Sequence, residues 1–275
     1  MGIRAVFFDM GGTIETFWYT PELRFRATPE LRRRLLHAGL DLQISDRELF
    51  EVINTGWERY HKESIESMQE QSTFKVWSEY IFSEFHLDHE KLSNISEELT
   101  VALEMNFFQR EMRPEVPEVL EKIQTADIRM GLISNVCSHG QVPQSLQAYG
   151  LLDYFNPLVL SSRYGRRKPD PAIFQYAASL AHVPTSECLY VGDRIARDIV
   201  GARRAGFKYA VQIVNEFDHG EKDEGALPDA RIYRMTELLD FIQNPLANED
   251  AKTKETTPTR NSLSDAGDIF PIQKN

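Results

Sequence analysis

The fold is decided near the start of the chain, where an apolar strand runs directly into an Asp-Gly turn, Ala5-Val6-Phe7-Phe8-Asp9-Met10-Gly11-Gly12-Thr13-Ile14. In an open α/β sheet, ligands bind beyond the carboxyl ends of the strands, and glycines leave backbone N–H groups free to approach an anion. Asp9 is therefore predicted at a strand tip, where its carboxylate can act as a nucleophile and form a covalent intermediate. A second carboxylate two residues later could serve as general acid and base, but the chain has Gly11 there.

Three further segments each place polar or charged side chains at the end of a predicted strand or in a stiff loop. They follow the first in the order Ser134 with Asn135, Lys168 between Arg167 and Pro169, and Asp193 with Asp198. A lysine held beside prolines is a fixed positive charge, and paired acids at a strand tip indicate a hard cation. Any one of these segments is typical of an ordinary turn or helix cap, but four in this order are not.

Together the four segments resemble the haloacid dehalogenase superfamily, whose motifs run in the order nucleophilic Asp, Ser or Thr, Lys, and an acidic Gly-Asp pair. The resemblance covers residues 1–15 and 110–243 and implies an α/β fold, a doubly wound parallel sheet with an inserted all-helical cap. Helical periodicity between the first two motifs agrees with that cap. The predicted division is an α/β core over 1–16 and 110–245, a helical cap over 17–109, and a polar tail over 246–275 that is expected to be disordered.

The resemblance also assigns roles to individual positions of this chain. It implies that Asp9 attacks a phosphoryl group and becomes an aspartyl phosphate, with Ser134 and Lys168 as the other catalytic residues. The residues expected to bind the phosphate are Gly12, Thr13, Ser134, Asn135 and Lys168. The implied cofactor is Mg²⁺, held by Asp9, the backbone carbonyl of Gly11, and Asp193, with Asp198 in support.

Gly11 departs from the pattern of the phosphatases in this family, in which an Asp two residues after the nucleophile protonates the leaving group. General acid–base catalysis is worth about 10²- to 10⁴-fold, so a phosphatase without it is expected to be slow unless the leaving group is good or another group stands in. Glu15, His139 and a cap residue are candidates for that role. Glu15 is better interpreted as a hinge residue of the cap, and His139 as a loop histidine.

Other functions stay open on the sequence alone. Phosphonate-cleaving members of the family carry a small residue at the position of Gly11 and use a cap lysine, for which the candidates are Lys62, Lys75 and Lys91. Dehalogenases carry a bulkier residue there, and the retained acids Asp193 and Asp198 favour phosphoester hydrolysis over dehalogenation. A binding or regulatory protein on the same scaffold is the remaining alternative, favoured by Gly11 and opposed by the retained nucleophile Asp9.

Composition limits the partners. The formal net charge of −11 argues against binding of a nucleic-acid backbone, and no apolar run approaches the length that crosses a membrane. Only two cysteines, Cys137 and Cys188, are present, which is typical of a reducing compartment. We expect a cytoplasmic enzyme without a signal peptide that acts on a small phosphorylated substrate as a monomer or homodimer.

Two groups of side chains are predicted to act around the crevice. The run Phe17-Trp18-Tyr19 is the expected specificity element, because it is close in sequence to Asp9 and lies outside the strongest helical pattern. Arg163, Arg166 and Arg167 flank Lys168 and are expected to extend a phosphate-attracting field over the crevice.

Overall fold

Six parallel strands form the central sheet of the computed structural model, which describes residues 2–214 and 226–245. The eight strands in chain order are β1 (Ala5–Phe8), β2 (Glu15–Trp18), β3 (Gln109–Met112), β4 (Arg129–Ser134), β5 (Leu158–Leu160), β6 (Cys188–Gly192), β7 (Tyr209–Ile213) and β8 (Ala230–Ile232). The sheet order is β5-β4-β1-β6-β7-β8, and β2 pairs with β3 in a separate antiparallel sheet. This topology confirms the predicted α/β class.

The order of the strands reverses at β1, and this places the predicted crevice. Phe8 at the end of β1 lies opposite Leu132 of β4 and Val191 of β6. Asp9, Ser134 and Asp193 therefore stand at the carboxyl ends of three adjacent strands. Such a switch point is where open α/β sheets bind their ligands.

Ten α-helices are described, together with short 3₁₀ and π segments. The α-helices are α1 (Pro21–His37), α2 (Asp46–Ser67), α3 (Thr73–Lys75), α4 (His89–Asn106), α5 (Val116–Thr125), α6 (Gln141–Ala148), α7 (Ser161–Tyr164), α8 (Pro171–Leu180), α9 (Val200–Arg204) and α10 (Glu237–Gln243). The 3₁₀ segments are Leu152–Tyr154 and Thr185–Glu187, and the π segments are Val76–Ile81 and Ile195–Ile199.

The sheet is covered on both faces because successive side chains of a strand point to opposite sides. Val6 and Phe8 of β1 belong to one buried cluster, which α5 and α10 help to form. Ala5 and Phe7 belong to another, which includes residues of α8 and α9. Both faces of β1 are fully buried, so this strand is a rigid base for Asp9.

The helices α1 to α4 have an apolar core of their own. Its largest buried side chains are aromatic, Trp57, Tyr60, Trp77, Phe82 and Phe107. This agrees with the expectation that the cap aromatics pack, because large rings contribute most to a small core. The domain boundaries themselves stay a prediction.

Local capping explains where these helices begin. Helix α1 begins at Pro21, where the Thr20 side chain accepts a hydrogen bond from the N–H of Leu23. Helix α4 begins at His89, where Asp88 caps the first turn. Short polar side chains satisfy the N–H groups that a helix start leaves without partners.

The antiparallel pair β2 and β3 was absent from the predicted elements. It joins the two ends of the insertion, with Glu15 opposite Met112 and Trp18 opposite Gln109. Four-residue strands with polar members carry too little periodicity to be recognised locally. The pair positions Phe17 beside the nucleophile turn.

Two further sequence predictions concern particular parts of the chain. The tail predicted at 246–275 lies outside the described residues. Among the helices of residues 2–214 and 226–245, none has both the length and the apolarity needed to cross a membrane.

Candidate active site

Lys168 joins the predicted nucleophile to the predicted acidic pair. Its Nζ lies 2.8 Å from Oδ1 of Asp9 and 2.7 Å from Oδ1 of Asp198, and it donates to the Tyr190 hydroxyl at 2.8 Å. The Lys168 side chain is only 1% exposed. An ammonium group has three N–H bonds, so these three acceptors fix its direction. Sequence analysis missed Tyr190, although it lies two residues before Gly192 on β6.

The turn after β1 approaches the acidic stretch closely. Gly12 has φ +84°, and a Cβ built there would lie 2.2 Å from Oδ2 of Asp193. Only glycine accepts this backbone and this contact. The Thr13 hydroxyl is buried without a hydrogen-bond partner, which suits the predicted role of this turn in binding a phosphate.

Gly11 makes room for an aromatic ring. A Cβ built at this position would lie 2.9 Å from Cε1 of Phe17, well inside an ordinary carbon–carbon contact of about 3.5 to 4.0 Å. The Phe17 ring meets Phe108 edge-on at 5.6 Å, and the Arg110 guanidinium lies 5.7 Å from its centre. The place of the absent acid is therefore occupied by hydrocarbon.

Three buried carboxylates converge at the switch point. Asp9, Asp193 and Asp198 each offer one oxygen, and these oxygens lie within 4.8 Å of one another. Oδ1 of Asp193 is buried and has no hydrogen-bond partner. Oxygen ligands of this kind suit Mg²⁺, and an orphaned carboxylate oxygen is a position that a cation would satisfy. The residues present therefore fit the implied metal.

Burial and charge act differently on the three acids. Burial raises the pKa of Asp193 to about 7, although Arg194 opposes the shift. Burial also raises the pKa of Asp9, against the attraction of Lys168. For Asp198, burial is outweighed by Lys168, Arg197 and the N–H of Arg194, so its pKa is lowered. Asp198 thus places a negative charge 2.7 Å from the Lys168 Nζ.

The residues at the end of β4 are held from two sides. The Asn135 side chain accepts from the Lys168 N–H at 2.8 Å and donates to the Lys168 carbonyl at 3.0 Å. Glu104 of α4 accepts from the N–H groups of Cys137 at 2.9 Å and Ser138 at 3.1 Å. A helix of the insertion therefore holds the loop that follows Ser134. Phosphate binding by Ser134 and Asn135 stays a prediction.

The basic side chains beside Lys168 have structural partners. Arg167, predicted to extend a field over the crevice, is buried and forms an ion pair with Glu70. Arg166 forms an ion pair with Asp170 at 2.6 Å. Each of these two residues is thus paired with a carboxylate, which reduces its charge effect on the crevice, and the phosphate-attracting field stays a prediction.

Glu70 is the centre of a buried contact between the loop after α2 and the loop before Lys168. Its carboxylate accepts from Arg167, from the Tyr60 hydroxyl and from Ser161 Oγ, the last at 2.6 Å. Backbone bonds run from Glu70 N–H to the Gly165 carbonyl at 3.1 Å and from Arg167 N–H to the Met68 carbonyl at 3.0 Å. This contact fixes the segment that carries Lys168.

His61 of α2 is close enough to three arginines for their charges to act on it, and one of them also acts on Asp9. Burial, followed by the charges of Arg167, Arg24 and Arg197, holds the pKa of His61 well below its usual range. The charge of Arg197 also opposes the rise in the pKa of Asp9 that burial causes. Arg24 is 2% exposed, with its guanidinium 3.6 Å from the centre of the Tyr19 ring. Of these cations, Arg24 and Arg197 were not predicted.

The two stand-ins that were named for the missing acid, Glu15 and His139, have other partners. Glu15 is fully buried, forms an ion pair with Arg110 and accepts from the Tyr149 hydroxyl at 2.8 Å. These contacts agree with its interpretation as a hinge residue, since Arg110 belongs to β3. His139 is exposed, and its Nε2 lies 3.3 Å from the Ser162 carbonyl.

Asp193→Asn is expected to stabilise the metal-free protein increasingly as the pH rises. The folded pKa of about 7 exceeds the ordinary value of 3.8, so the native state binds more protons between these values and loses stability as the pH rises through them. The substituted asparagine does not titrate, and its advantage should grow by about 2 kcal/mol between about pH 5 and pH 8. Denaturant unfolding in a metal chelator measures this difference. Parallel stability curves for the two proteins would contradict it.

Comparison with known proteins identifies the family. The model of the haloacid dehalogenase-like hydrolases matches residues 3–206. Pyrimidine 5'-nucleotidase YjjG of Escherichia coli is 30% identical over 240 residues, which are 86% of this chain and 96% of that protein. Glyceraldehyde 3-phosphate phosphatase of Methanopyrus kandleri is 26% identical over 243 residues, 88% of this chain and 97% of that protein.

A solved structure has the same fold. The 2-haloacid dehalogenase from Pseudomonas syringae pv. Tomato DC3000 superposes with a TM-score of 0.62 at 24% identity, covering 88% of this chain and 98% of that one. The family match extends over most of the chain and includes every predicted motif. The chain therefore belongs to the haloacid dehalogenase-like hydrolases, and it is a hydrolase with the fold that its motifs predicted.

Proposed function

We propose that this hydrolase is a Mg²⁺-dependent phosphatase that releases phosphate from a small phosphorylated metabolite through an aspartyl phosphate on Asp9. The observation that carries the proposal is the convergence of Asp9, Lys168 and the acids Asp193 and Asp198 at the switch point. The relatives named as phosphatases or nucleotidases support it. The acidic site disfavours dehalogenation, because displacement of a halide from carbon requires no metal.

The reaction begins at Asp9. The carboxylate attacks phosphorus, and the bond between phosphorus and the leaving oxygen breaks. Lys168, already 2.8 Å from Asp9, offsets the negative charge of the transferring group. Water then attacks the aspartyl phosphate, which releases inorganic phosphate and returns the Asp9 carboxylate.

The remaining predicted residues bind the phosphoryl group and the metal. Backbone N–H groups and the Thr13 hydroxyl in the turn after β1 would bind phosphoryl oxygens together with the loop that starts at Ser134. Asp9, the carbonyl of Gly11, and Asp193 would hold Mg²⁺, with Asp198 in support. The ion, when bound, neutralises charge on the phosphoryl oxygens.

The loop contacts with Lys168 and Ser134 assign a supporting role to the insertion. Glu70 fixes the segment before Lys168, and Glu104 fixes the segment after Ser134. We propose that the helical insertion encloses the substrate and excludes water during transfer. The free, buried thiols of Cys137 and Cys188 agree with the proposed cytoplasmic location.

Phosphate release from a panel of small phosphorylated compounds, with and without Mg²⁺, tests the proposal. We expect turnover that requires Mg²⁺ and that falls to background in Asp9→Asn, whose side chain has the same shape but cannot form the acyl phosphate. Acid-quenched protein should carry a hydroxylamine-labile phosphoryl group that maps to the peptide containing Asp9. Release that persists in Asp9→Asn, or no release from any compound by folded wild-type protein, would contradict the proposal.

A further inference from the structure

The side of the nucleophile turn at Gly11 offers no proton to a leaving group. Phe17 occupies the space where a side chain at position 11 would project. Its ring meets Phe108 edge-on, and the Arg110 guanidinium lies 5.7 Å from its centre. The leaving oxygen of a substrate on Asp9 therefore meets an aromatic ring on this side, and hydrocarbon cannot protonate it.

The charged groups that act on Asp9 are also poor proton donors. The two cations are Lys168 and Arg197. Lys168 directs its N–H bonds to Asp9, Asp198 and Tyr190. A guanidinium stays protonated under all ordinary conditions. The N–H bonds of Lys168 are therefore already directed to acceptors, and Arg197 supplies charge rather than a proton.

The histidine of the insertion does not replace the missing acid. Burial and the neighbouring arginines keep the pKa of His61 so low that the ring is neutral at neutral pH, and it carries no imidazolium proton for a leaving group. Glu15 is occupied by Arg110 and Tyr149. Asp193, the third acid beside Asp9, is assigned to the metal in the proposed function, and a carboxylate that holds a metal is deprotonated, so it is no proton source. The surroundings of Asp9 thus favour departure of an anion over departure of an alcohol.

We propose that the substrates are anhydrides of phosphoric acid, either acyl phosphates or phosphoanhydrides, whose leaving group departs as a stable anion. This inference rests on the proposed function and specifies its substrate class. It differs from the phosphate esters in the names of the relatives, because it follows from Gly11 and Phe17 of this chain.

The reaction balances without a general acid. Asp9 Oδ forms a bond to phosphorus, and the electron pair of the broken P–O bond stays on the leaving oxygen as a carboxylate or phosphate. Water then adds to phosphorus, its proton passes to the phosphate product or to solvent, and the Asp9 carboxylate is restored.

Acetyl phosphate and ethyl phosphate form a nearly isosteric pair that tests the proposal. Wild-type protein should hydrolyse acetyl phosphate with a kcat/KM more than about 10⁴-fold above that for ethyl phosphate, the upper range of what a general acid contributes. Pyrophosphate as a third substrate distinguishes phosphoanhydrides from acyl phosphates. Comparable kcat/KM values for acetyl and ethyl phosphate, both lost in Asp9→Asn, would overturn this inference and leave the proposed function intact. No release from any of the three would contradict the substrate class, and if the wider panel also failed, the proposed function.

A variant with a carboxylic acid at position 11 provides a second test of the proposal. Gly11→Asp combined with Phe17→Ala makes room for a carboxyl group and should raise kcat/KM for ethyl phosphate by about 10²-fold or more, with little change for acetyl phosphate. Phe17→Ala alone is the control for the enlarged space, and its ratio of kcat/KM for acetyl phosphate to that for ethyl phosphate is the baseline against which the double variant is compared. If the double variant does not fold, wild-type rates across nitro-substituted to unsubstituted phenyl phosphates replace it. A steep fall with increasing leaving-group basicity supports the proposal, and a flat series contradicts it.

Discussion

Replacement of Lys168 by methionine is expected to lower the free energy of unfolding by about 3 to 5 kcal/mol and to reduce turnover by at least about 10²- to 10³-fold. Lys168 is 1% exposed and lies within 2.8 Å of both Asp9 and Asp198. Methionine fills a similar volume but leaves two buried carboxylates without their shared cation. Denaturant unfolding and steady-state kinetics measure the two effects.

Asp9→Asn is the matched control for that variant. It should remove turnover just as thoroughly, but it should maintain or raise the free energy of unfolding at neutral pH. Burial raises the pKa of Asp9 despite Lys168, so the ionised carboxylate is less favourable in the folded protein than in the unfolded chain. The substituted asparagine removes that charge and leaves Lys168 paired with Asp198. Equal destabilisation in both variants would show that loss of packing, rather than uncompensated charge, dominates at this site.

The motifs and their order could be predicted from the sequence, because each motif depends on residues that are neighbours in the chain. An apolar strand, a glycine turn and a polar tip are neighbours in sequence, so Asp9, Ser134 and Asp193 could be placed at strand ends before the sheet was known. Parallel strands then bring those tips together. The family match confirms the resemblance on which these assignments rest.

The hydrogen-bond and ion-pair partners of the site residues could not be predicted, because they depend on contacts between segments that are distant in sequence. Tyr190 is 22 residues from Lys168, and Glu70 is 97 residues from Arg167. No local pattern distinguishes Tyr190 from an ordinary buried tyrosine of a strand. Glu70 follows a long polar helix, where a glutamate is expected to be solvated.

At Gly11 the sequence likewise predicted only part of the arrangement. The sequence shows that a carboxylate is missing, but only the packing of β2 against β3 shows that Phe17 occupies the vacated space. The aromatic run 17–19 could be connected with the site through its proximity in sequence. Its position against the nucleophile turn required the strand pair that the pattern did not predict.

Replacement of Glu70 by alanine is expected to lower the free energy of unfolding by about 3 to 5 kcal/mol, because it leaves the Arg167 guanidinium buried without its counterion. The two side chains are 1% and 5% exposed. Turnover should also fall, since Glu70 fixes the segment that precedes Lys168. Chemical denaturation and kcat, measured at a temperature where the variant is fully folded, separate the two effects.

Arg166→Gln is the control, since it breaks the neighbouring ion pair with Asp170. The Arg166 side chain is 46% exposed, so water compensates for the lost partner and the expected change is below about 1 kcal/mol. Glu70→Gln keeps the shape of the side chain and removes its charge. If Coulombic pairing dominates, its free energy of unfolding should be close to that of Glu70→Ala. If Glu70→Gln retains wild-type stability, hydrogen bonding from Tyr60 and Ser161 holds the insertion on the core, and the charge of Glu70 is not required. If Glu70→Ala changes neither stability nor kcat, the contact does not fix Lys168, and Asn135 alone positions that loop through the Lys168 backbone.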